Sequence, residues 1–179
     1  RLQQQSGNVD FICIGKQAEK YIKSHGMNIV ESHHELLENL AIEQSHKLAE
    51  KIMSFFAEGN YDRVELVYNQ FLNAATQMNT AEQFLPVKTE KAENHFYDYI
   101  FEPSKASILQ DLIPRTLKIQ FYRALLDSNA AEQGARMTAM HQATDNATEL
   151  LKELTLRYNK VRQASITREI LEIVSGAEA

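Results

Sequence analysis

Proline and glycine are scarce in the second half of this 179-residue sequence. No proline follows Pro114, and Gly134 is the only glycine between residues 115 and 175. These two residue types are the main helix breakers, so nothing in this stretch directs a helix to end. At a rise of about 1.5 Å per residue, a helix of that length would extend roughly 90 Å, well beyond the width of a globular domain.

Cysteine and long apolar runs are also lacking. The single cysteine, Cys13, excludes an internal disulfide and a zinc site built from cysteines. It lies in the apolar run Phe11 to Ile14, which favours a small buried core residue over a reactive thiol. No apolar run approaches the roughly 18–20 residues needed to span a membrane, so direct membrane insertion is not expected.

Basic and acidic residues are equal in number over most of the chain. The net charge is −5, and the window from Glu31 to Glu65 alone accounts for it, with eight acidic and three basic residues. The sequence therefore predicts no basic face for phosphate groups, and no nucleic-acid partner is expected. The acidic window itself is typical of a solvated helix face.

The first half of the chain alternates between strand and helix patterns. Short apolar or alternating runs predict strands at 9–14, 28–32, 62–71 and 76–87, and helical spacing predicts helices at 16–24 and 35–58. This order predicts an α/β fold with a small, mostly parallel sheet and crossover helices. Residues 88–94 are predicted to form a loop, and the aromatic segment 96–101 a strand or a packing anchor.

The second half predicts a long C-terminal coiled-coil helix. Ser104 is a candidate N-cap, and Pro114 either kinks the helix or opens a new one. We therefore expect two parts. Residues 1–101 would form a partial central α/β domain, and residues 102–179 a long C-terminal helical shaft, with a kink or break near 113–115 and helix to about 175.

The helix carries an apolar seam, by which we mean eight residues spaced alternately by three and four. The seam consists of Met137, Met140, Thr144, Ala147, Leu151, Leu154, Tyr158 and Val161. This is the a/d pattern of a coiled coil, with mostly charged or polar residues between. A one-sided apolar stripe needs a second helix to cover it. The first half of the chain offers none of matching length, so the partner helix is expected from outside these residues.

Beyond Val161 the seam loses its register. Apolar residues then spread around more than one side of the helix, namely Ile166, Ile170, Leu171, Ile173 and Val174. This tip predicts insertion into a ring-like apolar surround. The alternative is a terminal helix that docks on its own domain.

Several segments resemble the γ subunit, the central stalk, of F-type ATP synthases. In the helix these are EQGARMTAM (132–140), ATDNA (143–147), LLKEL (150–154) and YNKVRQASITREILEIVSGA (158–177). In the first half they are DFICIGKQ (10–17), NQF (69–71), QFLPV (83–87) and YDYIFEPS (97–104), in the order the family has them. The resemblance covers essentially the whole sequence.

The resemblance also identifies what the sequence does not contain. Members of the family begin with a basic N-terminal helix, a first strand and a glycine-rich turn, for which these residues hold no counterpart. The expectation is a fragment whose seam pairs with its own missing N-terminal helix. The regulatory insertion of chloroplast members is absent too. This implies a peripheral protein on the cytoplasmic face of the bacterial inner membrane, or on the matrix side of the mitochondrial inner membrane.

The function implied by the resemblance is that of a non-catalytic rotor shaft. Such a shaft couples ion flow through the membrane sector to conformational changes at the catalytic β subunits. The implied partners are the α and β subunits, the ε subunit and the c-ring, and no cofactor is implied. The implied contacts with β-subunit loops are Arg136, Arg162, Gln163, Thr167 and Glu169. An apical bearing is implied at Ile170, Ile173 and Val174.

Other functions are weighed on the residues themselves. A generic coiled-coil scaffold with an α/β head has the same periodicity, and only partner stoichiometry separates it from a shaft. A dinucleotide-binding enzyme needs G-x-G-x-x-G after a strand, whereas Gly15 stands alone. The run His33-His34-Glu35 suggests a metal site, but adjacent side chains point apart, which favours a surface pair.

Overall fold

The computed structural model describes residues 8–37, 39–88 and 101–177. The chain divides into two compact units, Arg1–Gln133 and Gly134–Ala179. The elements in chain order are β1 (Asp10–Ile14), α1 (Lys16–Ser24), β2 (Asn28–His33), α2 (Ile42–Ala57), β3 (Val64–Asn73), β4 (Thr76–Leu85) and α3 (Lys105–Ala177).

The first strands form a parallel pair joined by α1. Strand β1 pairs with β2, and the crossover begins at Gly15, whose amide donates to the His33 carbonyl oxygen at 2.9 Å. Gly15 has φ 98°, a backbone conformation that favours glycine, and a Cβ there would lie 3.0 Å from the Leu37 side chain, which would have to shift. Cys13 is buried at 4% exposure, which confirms the predicted core position.

The next two strands form an antiparallel hairpin. Val67 lies opposite Ala81, and the turn is closed where the Ala75 amide donates to the side-chain oxygen of Asn73 at 3.0 Å. The α/β class with a crossover helix is confirmed. The single, mostly parallel sheet is corrected, because the described strands form two separate pairs. Only two residues join β3 to β4, and a parallel connection needs a dozen or so.

Helix α2 is shorter than the predicted helix 35–58. It begins at Ile42, after a tight turn in which the Ala41 amide donates to the Asn39 carbonyl oxygen at 2.7 Å. The residues before that turn contribute to the core without being helical, since Leu36 is buried although it lies outside any helix. Apolar spacing alone did not separate a buried turn from a helical start.

The first unit has a core built from three sources. Leu36, together with Leu48 and Ile52 of α2, packs with Phe84 and Leu85 of β4. The third source is the first part of α3, through Leu117, Phe121 and Leu125. The rings of Phe84 and Phe121 lie 6.2 Å apart between centroids in a tilted arrangement. The long helix is thus a structural element of the α/β unit as well as its continuation.

Helix α3 is continuous for 73 residues. Its start is capped as predicted, because the Ser107 amide donates to the Ser104 side-chain oxygen at 3.2 Å. Pro114 lies inside the helix, which is not broken there, and the alternative of a kink near 113–115 stays a prediction. The packing of Leu117 and Phe121 just beyond the proline offsets the hydrogen bond that proline removes. The two compact units meet at Gly134, within this helix, whereas the predicted shaft begins at 102.

The predicted anchor segment lies largely outside the described residues, which resume at Phe101. Most of the predicted loop 88–94 also falls outside them.

Three glutamates of the α/β unit have lowered pKa values. A hydrogen bond from Lys51 lowers the pKa of Glu31, and corresponding bonds from Lys23 and Lys118 lower those of Glu19 and Glu50. Two of these acids belong to the acidic window, so that window holds ion pairs as well as solvated side chains. Each of these carboxylates is more strongly ionised in the folded than in the unfolded chain.

The chain is therefore expected to lose stability in acid. A carboxylate with a depressed folded pKa stabilises the fold above its unfolded pKa of about 4.3, and that contribution is lost as the pH falls through the folded value. Replacing Lys51 with Met should reduce the difference in unfolding free energy between pH 6 and pH 3, measured by urea denaturation. Lys20→Met, on an exposed lysine of α1, is the control. An unchanged difference for Lys51→Met would contradict the assignment.

Candidate functional site

The second unit is a helix without cover. Every described residue from 135 to 177 is exposed apart from Asn159. The seam shares this exposure, with Leu151 at 66%, Tyr158 at 66% and Val161 at 63%. Large apolar side chains at these levels along one helix indicate a surface made for another helix.

The seam follows one face with a steady drift. At about 100° per residue, each heptad step turns the seam by roughly 20° around a straight helix. Met137 and Tyr158, three heptads apart, therefore differ by roughly 60° in direction. A partner helix can follow such a drift only by winding around α3 in a left-handed supercoil.

Thr144 is the polar member of the seam, and its hydroxyl is satisfied locally. It donates to the Met140 carbonyl oxygen at 2.9 Å, so the methyl group remains available for packing. Thr148 and Thr155 make the same bond to the carbonyls four residues earlier. These bonds reduce the cost of covering the helix with an apolar partner.

The tip of the helix is apolar on several sides. Ile170 is 55% exposed, Ile173 71% and Val174 52%. By helical geometry, Ile166, Ile170, Leu171, Ile173 and Val174 together span an arc of roughly 160°. One partner helix cannot cover so wide an arc, so this surface suits a surround more than a single neighbour.

The five predicted subunit-contact residues lie in two places on α3. Arg136 precedes Arg162 by 26 positions in the sequence, a separation of about 39 Å along a helix. The other four cluster within 162–169. There the Thr167 hydroxyl donates to the Gln163 carbonyl oxygen at 2.8 Å, which places these two residues on one face. Arg162 and Glu169 share a second face by their spacing of seven.

Sequence reasoning missed the part of α3 that docks on the α/β unit. Leu117, Phe121, Ala124 and Leu125 are all buried at 6% exposure or less. These four residues are separated by four, three and one positions. The seam, which begins twenty residues later, was predicted from the same kind of apolar spacing. Lys118 and Gln120, which make polar contacts beside this stripe, carried no such signal.

The histidine pair contacts carboxylates on different elements. His33 Nε2 lies 3.2 Å from a Glu31 oxygen, and His34 Nε2 lies 2.8 Å from a Glu19 oxygen. Among the described residues, no cluster of three or more metal-binding side chains occurs. Within the same part of the chain, no helix is both long enough and apolar enough to cross a membrane.

Comparisons with known proteins agree on one family. The family model described as ATP synthase matches residues 1–179. The chain is 52% identical over 180 residues to the ATP synthase gamma chain of Cytophaga hutchinsonii, covering 98% of this chain and 61% of that one. It is 53% identical over 173 residues to the gamma chain of Christiangramia forsetii, covering 96% and 60%. The chain thus spans about three fifths of the length of these relatives.

Solved structures give the same fold. The rotor of the Euglena gracilis mitochondrial ATP synthase in rotational state 1 matches with a TM-score of 0.62 and 18% identity, covering 92% of this chain and 66% of that one. At this identity the likeness establishes the fold, which combines small sheets with a long C-terminal helix. Together with the family match over the whole sequence, it leads to one assignment: this chain belongs to the ATP synthase gamma chain family.

Proposed function

We propose that this chain is part of the non-catalytic rotor shaft of a rotary ATP synthase. The observation that carries the proposal is the uncovered seam of α3, with Leu151 at 66% and Leu154 at 53% exposure. A slender helix with one apolar face suits a two-stranded shaft. The resemblance supplies its partner, the N-terminal helix of the gamma chain, which pairs antiparallel with the seam.

The proposed partners follow from the family. The α and β subunits form a ring around the shaft, and the ε subunit and the c-ring contact its foot. The Euglena match is a rotor, which supports this arrangement. The proposed location is at a membrane surface, on the cytoplasmic face in bacteria or the matrix side in mitochondria.

The shaft acts by making different contacts with different β subunits. A partner shifts a conformational equilibrium only through contacts whose free energy differs between the states. Arg136, Arg162, Gln163, Thr167 and Glu169 are the proposed contacts with β-subunit loops. All five are exposed on α3, as such contacts require. Ile170, Ile173 and Val174 are the proposed bearing at the tip.

Reconstitution with α, β and ε subunits tests the proposal. The gamma chain, complete through its N-terminal helix, should enter the complex as one copy for every three β subunits, measured by native mass spectrometry. Purified alone, it should hydrolyse no ATP. A stable homo-oligomer that excludes α and β would favour the coiled-coil scaffold instead. Hydrolysis by the chain alone would contradict a non-catalytic role.

A further inference from the structure

Helix α3 makes polar contacts with several parts of the α/β unit, including a hydrogen bond of 3.4 Å that the Tyr122 hydroxyl donates to the Leu40 carbonyl oxygen. Two others involve two different elements. Lys118 forms an ion pair with Glu50 of α2. Gln120 Nε2 donates a hydrogen bond of 2.8 Å to Glu82 Oε1 of β4. The other oxygen of Glu82 accepts a hydrogen bond of 3.1 Å from the Tyr68 hydroxyl of β3, so the acceptor is itself held in place.

The Lys118 and Gln120 contacts lie on opposite flanks of the buried stripe of α3, and Tyr122 lies on the same flank as Lys118. The stripe consists of Leu117, Phe121, Ala124 and Leu125. At about 100° per residue, Lys118 lies roughly 80° to one side of the middle of the stripe, and Gln120 roughly 80° to the other. The helix is therefore held from both sides.

A contact on each flank opposes rolling of the helix about its own axis. Side-chain tips lie about 5–6 Å from the axis of a helix, so a roll of about 10° moves them by about 1 Å. A displacement of that size takes a hydrogen bond out of its favourable range. A roll in either direction stretches one of the two contacts. Apolar packing in the stripe attaches the helix, but its attraction is not directional.

We propose that the Lys118–Glu50 and Gln120–Glu82 contacts form a rotational lock, which sets the angle of α3 about its axis relative to the α/β unit. The lock rests on the proposed shaft function and specifies where torque passes between the α/β unit and the helix. Lys118 and Gln120 belong to α3, the same helix that continues to Ala177. Both are positioning residues that act through α3.

Distance measurements in the assembled complex test the lock directly. Spin labels at Asn69 of β3 and Ala130 of α3, both exposed, report the angle between the hairpin and the helix. The labels are attached to Asn69→Cys and Ala130→Cys, and Cys13 and any cysteines in the rest of the complex are replaced by Ala in all variants, so that only the two labels are present. Lys118→Met should shift the mean label distance in one direction, and Gln120→Met in the opposite direction, because each weakens the contacts on one flank and leaves those on the other flank intact. The double variant should broaden the distribution at least twofold.

Matched controls separate this effect from a general loss of stability. Lys152→Met and Gln142→Met make the same replacements at exposed positions of α3 and should leave the distances unchanged. A contact that only stabilises the fold would lower the unfolding midpoint without opposite shifts. Equal shifts in the same direction, or an unchanged width in the double variant, would overturn the lock.

The functional readout is the coupling ratio, which is the number of ions that the complex pumps for each ATP it hydrolyses. We expect the double variant to pump at least twofold fewer ions per ATP hydrolysed by the complex, and the control double variant to match the wild type. An unchanged ratio despite a broadened distance distribution would overturn the role in torque transfer. If the wild-type complex shows no coupling, the proposed shaft function fails, while the distance measurements still judge the lock.

Discussion

Replacing Leu125 with Ala is expected to destabilise the α/β unit by about 2–5 kcal/mol, the range for a buried leucine whose removal leaves a cavity. Leu125 is 6% exposed and packs in the core with Phe84 and Ile52. It is one of the three α3 side chains in that core cluster, together with Leu117 and Phe121. The replacement therefore loosens the junction between the long helix and the strands.

The neighbouring residue provides the control. Leu126 is 42% exposed, so Leu126→Ala removes the same atoms from a partly solvated position and is expected to cost under about 1 kcal/mol. Amide hydrogen exchange of β3 and β4 measures both variants. A tenfold loss of protection corresponds to about 1.4 kcal/mol, so Leu125→Ala should accelerate exchange by at least thirtyfold. Equal effects of the two variants would contradict the proposed docking of α3.

The second large effect is expected on the seam, in a gamma chain that includes its N-terminal helix. Leu154→Ser removes an apolar side chain from a d position, where a paired helix would bury it. Burial of a leucine contributes about 1.5–3 kcal/mol, so amide protection around residues 147–161 should fall by at least about tenfold.

Leu156→Ser is the matched control for the seam. Leu156 is 72% exposed and, by helical geometry, points roughly opposite to Leu154. Both variants replace Leu with Ser on the same helix, so the loss of helix propensity is equal and only the seam contact differs. We expect Leu156→Ser to change protection by less than threefold. Equal losses at the two positions would show that the seam is not the paired face.

Local features of the first unit were predictable because they depend on neighbouring residues. The burial of Cys13 follows from its apolar run, and the capping by Ser104 follows from its place before a helical pattern. Gly15 marks the end of a strand because its positive φ favours a residue without a side chain. None of these features depends on a distant part of the chain.

Features that join distant residues were predicted less well. The strands were identified, but their pairing depended on the short link between β3 and β4, which allows only an antiparallel hairpin. The docking of α3 depends on Leu117 and Phe121 meeting Phe84 of β4, more than thirty residues away. The continuity of the helix through Pro114 and the division of the chain at Gly134 are also properties of the whole fold.

The amino-acid order alone determined that a helix without breakers carries an apolar face along 137–161, because helical periodicity is a property of residue spacing. The tertiary structure decided which portion of that helix is buried. Leu117, Phe121 and Leu125 are covered because residues of α2 and β4 pack against them, whereas the described seam residues are exposed. Burial depends on what the fold brings opposite a side chain, and similar apolar spacings therefore became a core stripe in one place and an exposed face in another.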